Sequence, residues 1–204
     1  MTIPNQAPDS SQSGVIQPID TTALLEGQSL EDYLQQWVAA VAYLDGTMVR
    51  PRWQPEPPNI PDYGVDWAAV GIMNRRPVGL YPWVGHHSEV DGHDEMQRHE
   101  ELDVLITFTG AHADRYAGNF HHGAWIWQNR AALRLAGMAL IEVEEGRSVP
   151  ELIKNQWWNR IDKQFCVRRI VVRTYPVLNL LSASGAVVLE EGYTSPFTVV
   201  PPAP

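Results

Sequence analysis

An α+β domain with extended arms at both ends is the fold class the sequence predicts, on three observations. Residues 29–44 repeat apolar side chains at helical spacing. LDVLITFT, at 102–109, alternates apolar and polar residues as a half-buried strand does. The third is Trp157–Tyr175, WWNRIDKQFCVRRIVVRTY, rich in strand-favouring residues from Arg160 and uninterrupted by Gly or Pro until Pro176. These place a domain over 29–191, preceded by a flexible arm (1–28) and followed by a proline-rich tail (192–204).

The first element is a helix with Ser29 as N-cap and Asp32 in the manner of a capping box. Leu30, Tyr33, Leu34, Trp37, Val38, Val41 and Leu44 form its core stripe, and Asp45-Gly46 is the expected left-handed stop. Pro51, Pro55, Pro57, Pro58 and Pro61 then preclude a helix or a central strand, which leaves a stiff extended connector. Trp67–Met73 reads as a buried strand stopped by Asn74-Arg75-Arg76-Pro77, and Leu80–Glu101 as a solvated loop. After the strand at 102–109, Ala111–Trp127 and Gln128–Ala136 read as helices and Met138–Val143 as a strand. Val149–Asn155 is a short helix or turn. Val177–Leu181 and Ala186–Leu189 are strand candidates separated by a Ser/Gly loop.

The long segment carries Ile161, Phe165, Val167 and Val171 on one parity, broken by Arg169 and Arg173. The other parity carries Arg160, Asp162, Gln164, Cys166, Arg168, Ile170 and Val172. An unbroken strand over Trp157–Tyr175 would reach about 60 Å at about 3.3 Å per residue. Such a strand bends at a break or reaches beyond its own domain to pair with a neighbour.

A chain of 204 residues buries a substantial core without staples. Its one cysteine excludes an internal disulfide framework and a cysteine-based zinc site, and Cys166, between Phe165 and Val167, reads as a buried inert thiol. No leader and no long apolar run is apparent, so neither secretion nor a membrane partner is expected. A net charge of −9 argues against nucleic-acid binding as the main activity. Eight tryptophans and sixteen prolines suggest interface anchors and extended arms.

Catalytic chemistry is hard to find. His86, His87, His93 and His99 lie among Glu89, Asp91, Asp94, Glu95, Glu100 and Glu101, a donor set that suits zinc or iron. Adjacent histidines seldom share one metal, however, and Asp103 stands where a zincin would place its second histidine. The expectation is therefore no catalytic residue, no metal and no cofactor, with a metal-dependent enzyme built on His86–His99 as the alternative. There is no phosphate loop and no hydrolase elbow.

DWAAVGI, QRHEELDVLITFTG, QNRAALRLAGM and WWNRIDKQFCVRRIVVRTYPVLNLLSASG occur in that order. Together they resemble the neck or tail terminator (tail completion) proteins of long-tailed bacteriophages, over roughly residues 29–189 and most strongly over 150–185. The resemblance implies a mixed, mostly antiparallel sheet with helices packed on it. It also implies a homo-oligomeric ring, a hexamer, at the head-proximal end of the tail tube. That ring would stop tube growth and join the tail to the neck, in a virion assembled in the bacterial cytoplasm. Its partners would be the tube protein, the connector or stopper and the sheath, with genomic DNA passing through the lumen without specific binding. An adjacent connector or stopper ring is the nearest alternative. Trp157, Trp158, Arg160, Arg168, Arg169 and Arg173 are the candidate subunit-interface residues.

Overall fold

The structure, a computed structural model, describes residues 6–19, 25–54, 60–88, 92–180, 183–188 and 194–199. In chain order the first elements are β1 (Gln6–Ala7), β2 (Val15–Ile16), α1 (Gly27–Ala42), a 3-10 turn (Gly46–Met48) and β3 (Val49–Pro51). Then come β4 (Trp67–His87), β5 (His93–Thr109), α2 (Ala113–Gly123), α3 (Trp127–Leu135), β6 (Met138–Val143) and β7 (Arg147–Ser148). The remainder are β8 (Glu151–Ile153), β9 (Gln156–Trp158), β10 (Arg160–Tyr175), β11 (Ala183–Val188) and β12 (Thr194–Val199). The expected α+β class is present. The chain forms two compact units, one of residues 22–82 and 97–171, the other of 1–21, 83–96 and 172–204.

The first unit is built on the sheet β3-β4-β5-β10-β6, with β7 also on β10. β3 runs parallel to β4, whereas β6 and β7 run antiparallel to β10. The ion pairs Arg168–Glu101 and Arg169–Glu100 show β5 and β10 to be antiparallel, since partner numbers fall on one strand as they rise on the other. Leu102, Val104, Ile106 and Phe108 of β5 are fully buried, as the alternation predicts, and join Ile161, Phe165 and Val167 of β10 in the core. α1 and α2 cover this face: Trp37 and Phe120 meet edge-on at 5.5 Å, and Phe165 lies 5.3 Å from Phe120. Each such aromatic contributes about 1.5–3 kcal/mol by leaving water. Lys163 shares the buried face. Its Nζ donates to the Glu144 carbonyl (2.9 Å) and lies 3.0 Å from His121 Nδ1. Burial lowers its pKa, against a smaller opposing effect of Glu145.

Several boundaries differ from the sequence expectation. α1 begins at Gly27, so Ser29 is not the N-cap. The Ser29 hydroxyl instead accepts from the Glu26 amide at 3.2 Å and donates to the Glu26 carbonyl at 2.8 Å. The helix stops at Tyr43, which takes the left-handed conformation (φ 61°), while Asp45 caps the following turn through Thr47. β4 continues through Pro77 to His87 instead of ending at residue 73. Among the described residues β3 pairs with Ala68–Val70 alone, so within them β4 is the sheet edge beyond that point, where proline costs no ladder hydrogen bond. The solvated loop expected over 80–101 is therefore largely strand, belonging to β4 and β5. Val149–Asn155 is neither helix nor simple turn. β8 and β9 form a hairpin there, turned by Lys154 and Asn155 at φ 48° and 61°. The long segment breaks at Asn159, and β10 bears a bulge opposite β6 at Cys166/Val167.

In the second unit, part of the aperiodic N-terminal region is tied down. β1 pairs in parallel with β2, and Ile19 bridges Thr174. The Ser10 amide donates to the Pro176 carbonyl at 3.1 Å, and Ser10 Oγ accepts from the Leu178 amide at 2.7 Å. These partners lie far apart in sequence, which is why no local pattern announces them. β11 and β12 pair antiparallel from Ala183↔Val199 to Val188↔Thr194. Strand structure thus begins inside the expected Ser/Gly loop, and residues 176–180 are not strand; Leu181, Ser182 and Leu189 lie outside the described residues.

Candidate subunit interface

The face of the sheet turned away from the helices carries charge in place of apolar side chains. Arg52 donates to Thr107 Oγ1 (2.6 Å), which donates to Asp162 (2.8 Å). Arg160 holds Asp162 through two hydrogen bonds of 2.9 and 2.8 Å and reaches Glu151 at 3.1 Å. Burial opposes ionisation of Asp162, but the hydrogen bonds from Arg160 and Thr107 outweigh it and hold its pKa below the usual 3.8. Farther along, Arg168 pairs with Glu101 at 2.6 Å and Arg76 with Asp103 at 2.7 Å. Cys166 is buried beside these carboxylates, and burial first, then Glu101 and Asp103, push its thiol up to about 11. The thiol is inert, as its apolar neighbours suggest.

The six residues singled out in the sequence fall into distinct settings. Arg160 is committed to Asp162 and Glu151, and Arg169 is buried against Glu100 and the Leu25 carbonyl. Trp158 is buried (5 % exposed) edge-on to Tyr63 at 5.5 Å, while Trp157, on the other face of β9, is 67 % exposed. Arg168 keeps a partly exposed side chain beyond its bond to Glu101. Arg173 is of intermediate exposure and also has an interaction partner.

Two apolar surfaces escaped the sequence reading. In β4, Leu80 and Tyr81 are 88 % and 86 % exposed, and Trp83 and Val84 are exposed as well. Neighbouring strand residues point to opposite faces, so both faces of this stretch are bare. Gly79 precedes it at φ 85°, a conformation other residues rarely adopt. The second surface is Trp125, Ile126 and Trp127 at the start of α3, where Arg134 stacks on the Trp127 ring at 3.7 Å. LYPWV, apolar and aromatic without alternation amid polar sequence, was the signal available for the first.

The sheet thus has a charged, internally paired face, and exposed aromatic strips lie on separate elements. A family model described as phage neck terminator protein matches residues 28–192, and the chain belongs to that family. It is therefore a structural protein of the phage neck, located in the virion. Comparison with curated proteins found no match. Among solved structures, the chain is similar to one from a virion of a native gene transfer agent particle, at 18 % identity. That alignment covers 75 % of this chain and 99 % of the other, with a TM-score of 0.32. No helix among the described residues is long and apolar enough to cross a membrane.

Proposed function

We propose that this chain forms a closed hexameric ring on the head-proximal end of the tail tube, ending tube growth and joining the tail to the connector or stopper. The observation that carries the reading is the doubly exposed apolar stretch of β4, residues 80–84. A subunit that worked alone would gain nothing from aromatic side chains bare on both faces of a strand. Head-to-tail rings need two different surfaces on each subunit, and the aromatic start of α3 supplies a second. The net charge of −9 favours a lumen that repels passing DNA over one that grips it. Tube protein and connector or stopper are the partners this role requires, with the sheath a further partner where the tail is contractile, and assembly takes place in the bacterial cytoplasm.

Substitution of Tyr81 and Trp83 by Ser tests this reading. The variant is expected to stay folded and fail to form rings or cap tubes; undiminished assembly would remove β4 from the interface. Trp157, Arg168 and Arg173 are the remaining candidates with surface to offer. Arg168→Glu is expected to weaken assembly. The swap Arg168→Glu/Glu101→Arg separates the two roles of Arg168: restored assembly assigns it to the internal pair, and persistent loss assigns it to the neighbour.

A further inference from the structure

Neighbouring histidines such as His86 and His87 seldom share one ion, which argues against a metal site in the sequence. The strand geometry removes that objection. His86 and His87 point to opposite faces of β4. His86 is occupied by Asp94 and Asn179, the latter 2.6 Å from Nε2. On the other face, His87 meets His93 of β5 with rings nearly parallel, 12° apart and 4.6 Å between centroids. Glu95 lies two residues beyond His93 on the same face, its Oε2 3.5 Å from His87 Nε2.

One ligand atom from each of His87, His93 and Glu95 falls within 4.8 Å of the others. Ligands held about 2.1 Å from a tetrahedral zinc ion are about 3.4 Å apart, so small side-chain rotations close the set. A second observation points to the same place. His87 Nε2 is buried and has no hydrogen-bond partner, and its distance to Glu95 exceeds the usual range. A buried ring nitrogen facing a second imidazole and a carboxylate is satisfied by a cation with affinity for both donor types.

We propose that His87, His93 and Glu95 bind a divalent transition-metal ion of the zinc class, cross-linking the end of β4 to the start of β5. Two imidazoles and one carboxylate suit zinc or cobalt better than calcium or magnesium, which prefer all-oxygen shells. Three protein ligands leave one position of a tetrahedron for water. The role is structural: the ion ties two strands whose polar side chains supply little apolar burial.

The test uses the full chain without a histidine tag, stripped with chelator and titrated with Co²⁺ by visible absorption and with Zn²⁺ by calorimetry. One equivalent with a tetrahedral cobalt spectrum is expected. His87→Gln/His93→Gln should abolish it, and Glu95→Gln should weaken it at least about tenfold, the lower range seen even for loss of a ligand's supporting partner. His99→Gln should bind as the parent does. Ring NMR signals of the unmodified chain give a readout independent of variant folding: Zn²⁺ should shift those of His87 and His93. No saturable binding, equal affinity in His87→Gln/His93→Gln, or shifts confined to the other histidines would overturn the proposal.

Discussion

Arg169 and Arg168 point to opposite faces of β10, and their settings give different costs for losing them. Arg169 is buried with Glu100 and also serves the Leu25 carbonyl, so Arg169→Ala strands a carboxylate and should cost about 3 kcal/mol. Arg168 is partly exposed, and Arg168→Ala should stay within about 1 kcal/mol of the parent. Urea unfolding of the two variants checks both values. Asp162 sets a pH dependence. Its pKa is lower in the folded chain, so its contribution is present above the ordinary 3.8 and lost as pH falls through the folded value. Asp162→Asn should be less stable than the parent at pH 7, and the gap should close below pH 3.8. A thiol at about 11 is almost entirely protonated at pH 8, so Cys166 should resist iodoacetamide until the chain is unfolded in urea.

At the scale of elements, the core is where sequence and structure agree best. The alternation of LDVLITFT and the stripe from Leu30 to Leu44 both mark residues in the core, because each element there has one apolar and one polar face, even where the polar face of β5 is itself covered at Asp103, Thr107 and Thr109. Phe120→Ala removes the ring that touches Trp37, Phe108 and Phe165 and should cost about 3–5 kcal/mol in urea unfolding. Agreement fails where that contrast vanishes. Over residues 80–101 the strands carry polar or exposed side chains on both faces, so no period of two is visible and the region reads as loop. The β8–β9 hairpin escaped for a different reason, since its Lys-Asn turn lacks the glycine that usually announces one. The interface candidates divide along the same line. Long arginines on a strand suggested partners, but the acidic residues they meet lie more than sixty positions away for Arg168 and Arg169, beyond any local pattern.

For the whole molecule, the proposed ring covers aromatic surface that a single chain leaves bare. The family assignment fixes the place of action, the phage neck, and the exposed residues of β4 and α3 are the surfaces proposed to make the contacts. The most direct measurement is negative-stain imaging with native mass of the purified chain, alone and mixed with growing tail tubes. Closed rings of uniform mass, free or seated on one end of tubes that stop lengthening, are the predicted result. Tubes that keep growing with bare ends in excess chain, and no ring under either condition, would rule out the proposed terminator ring.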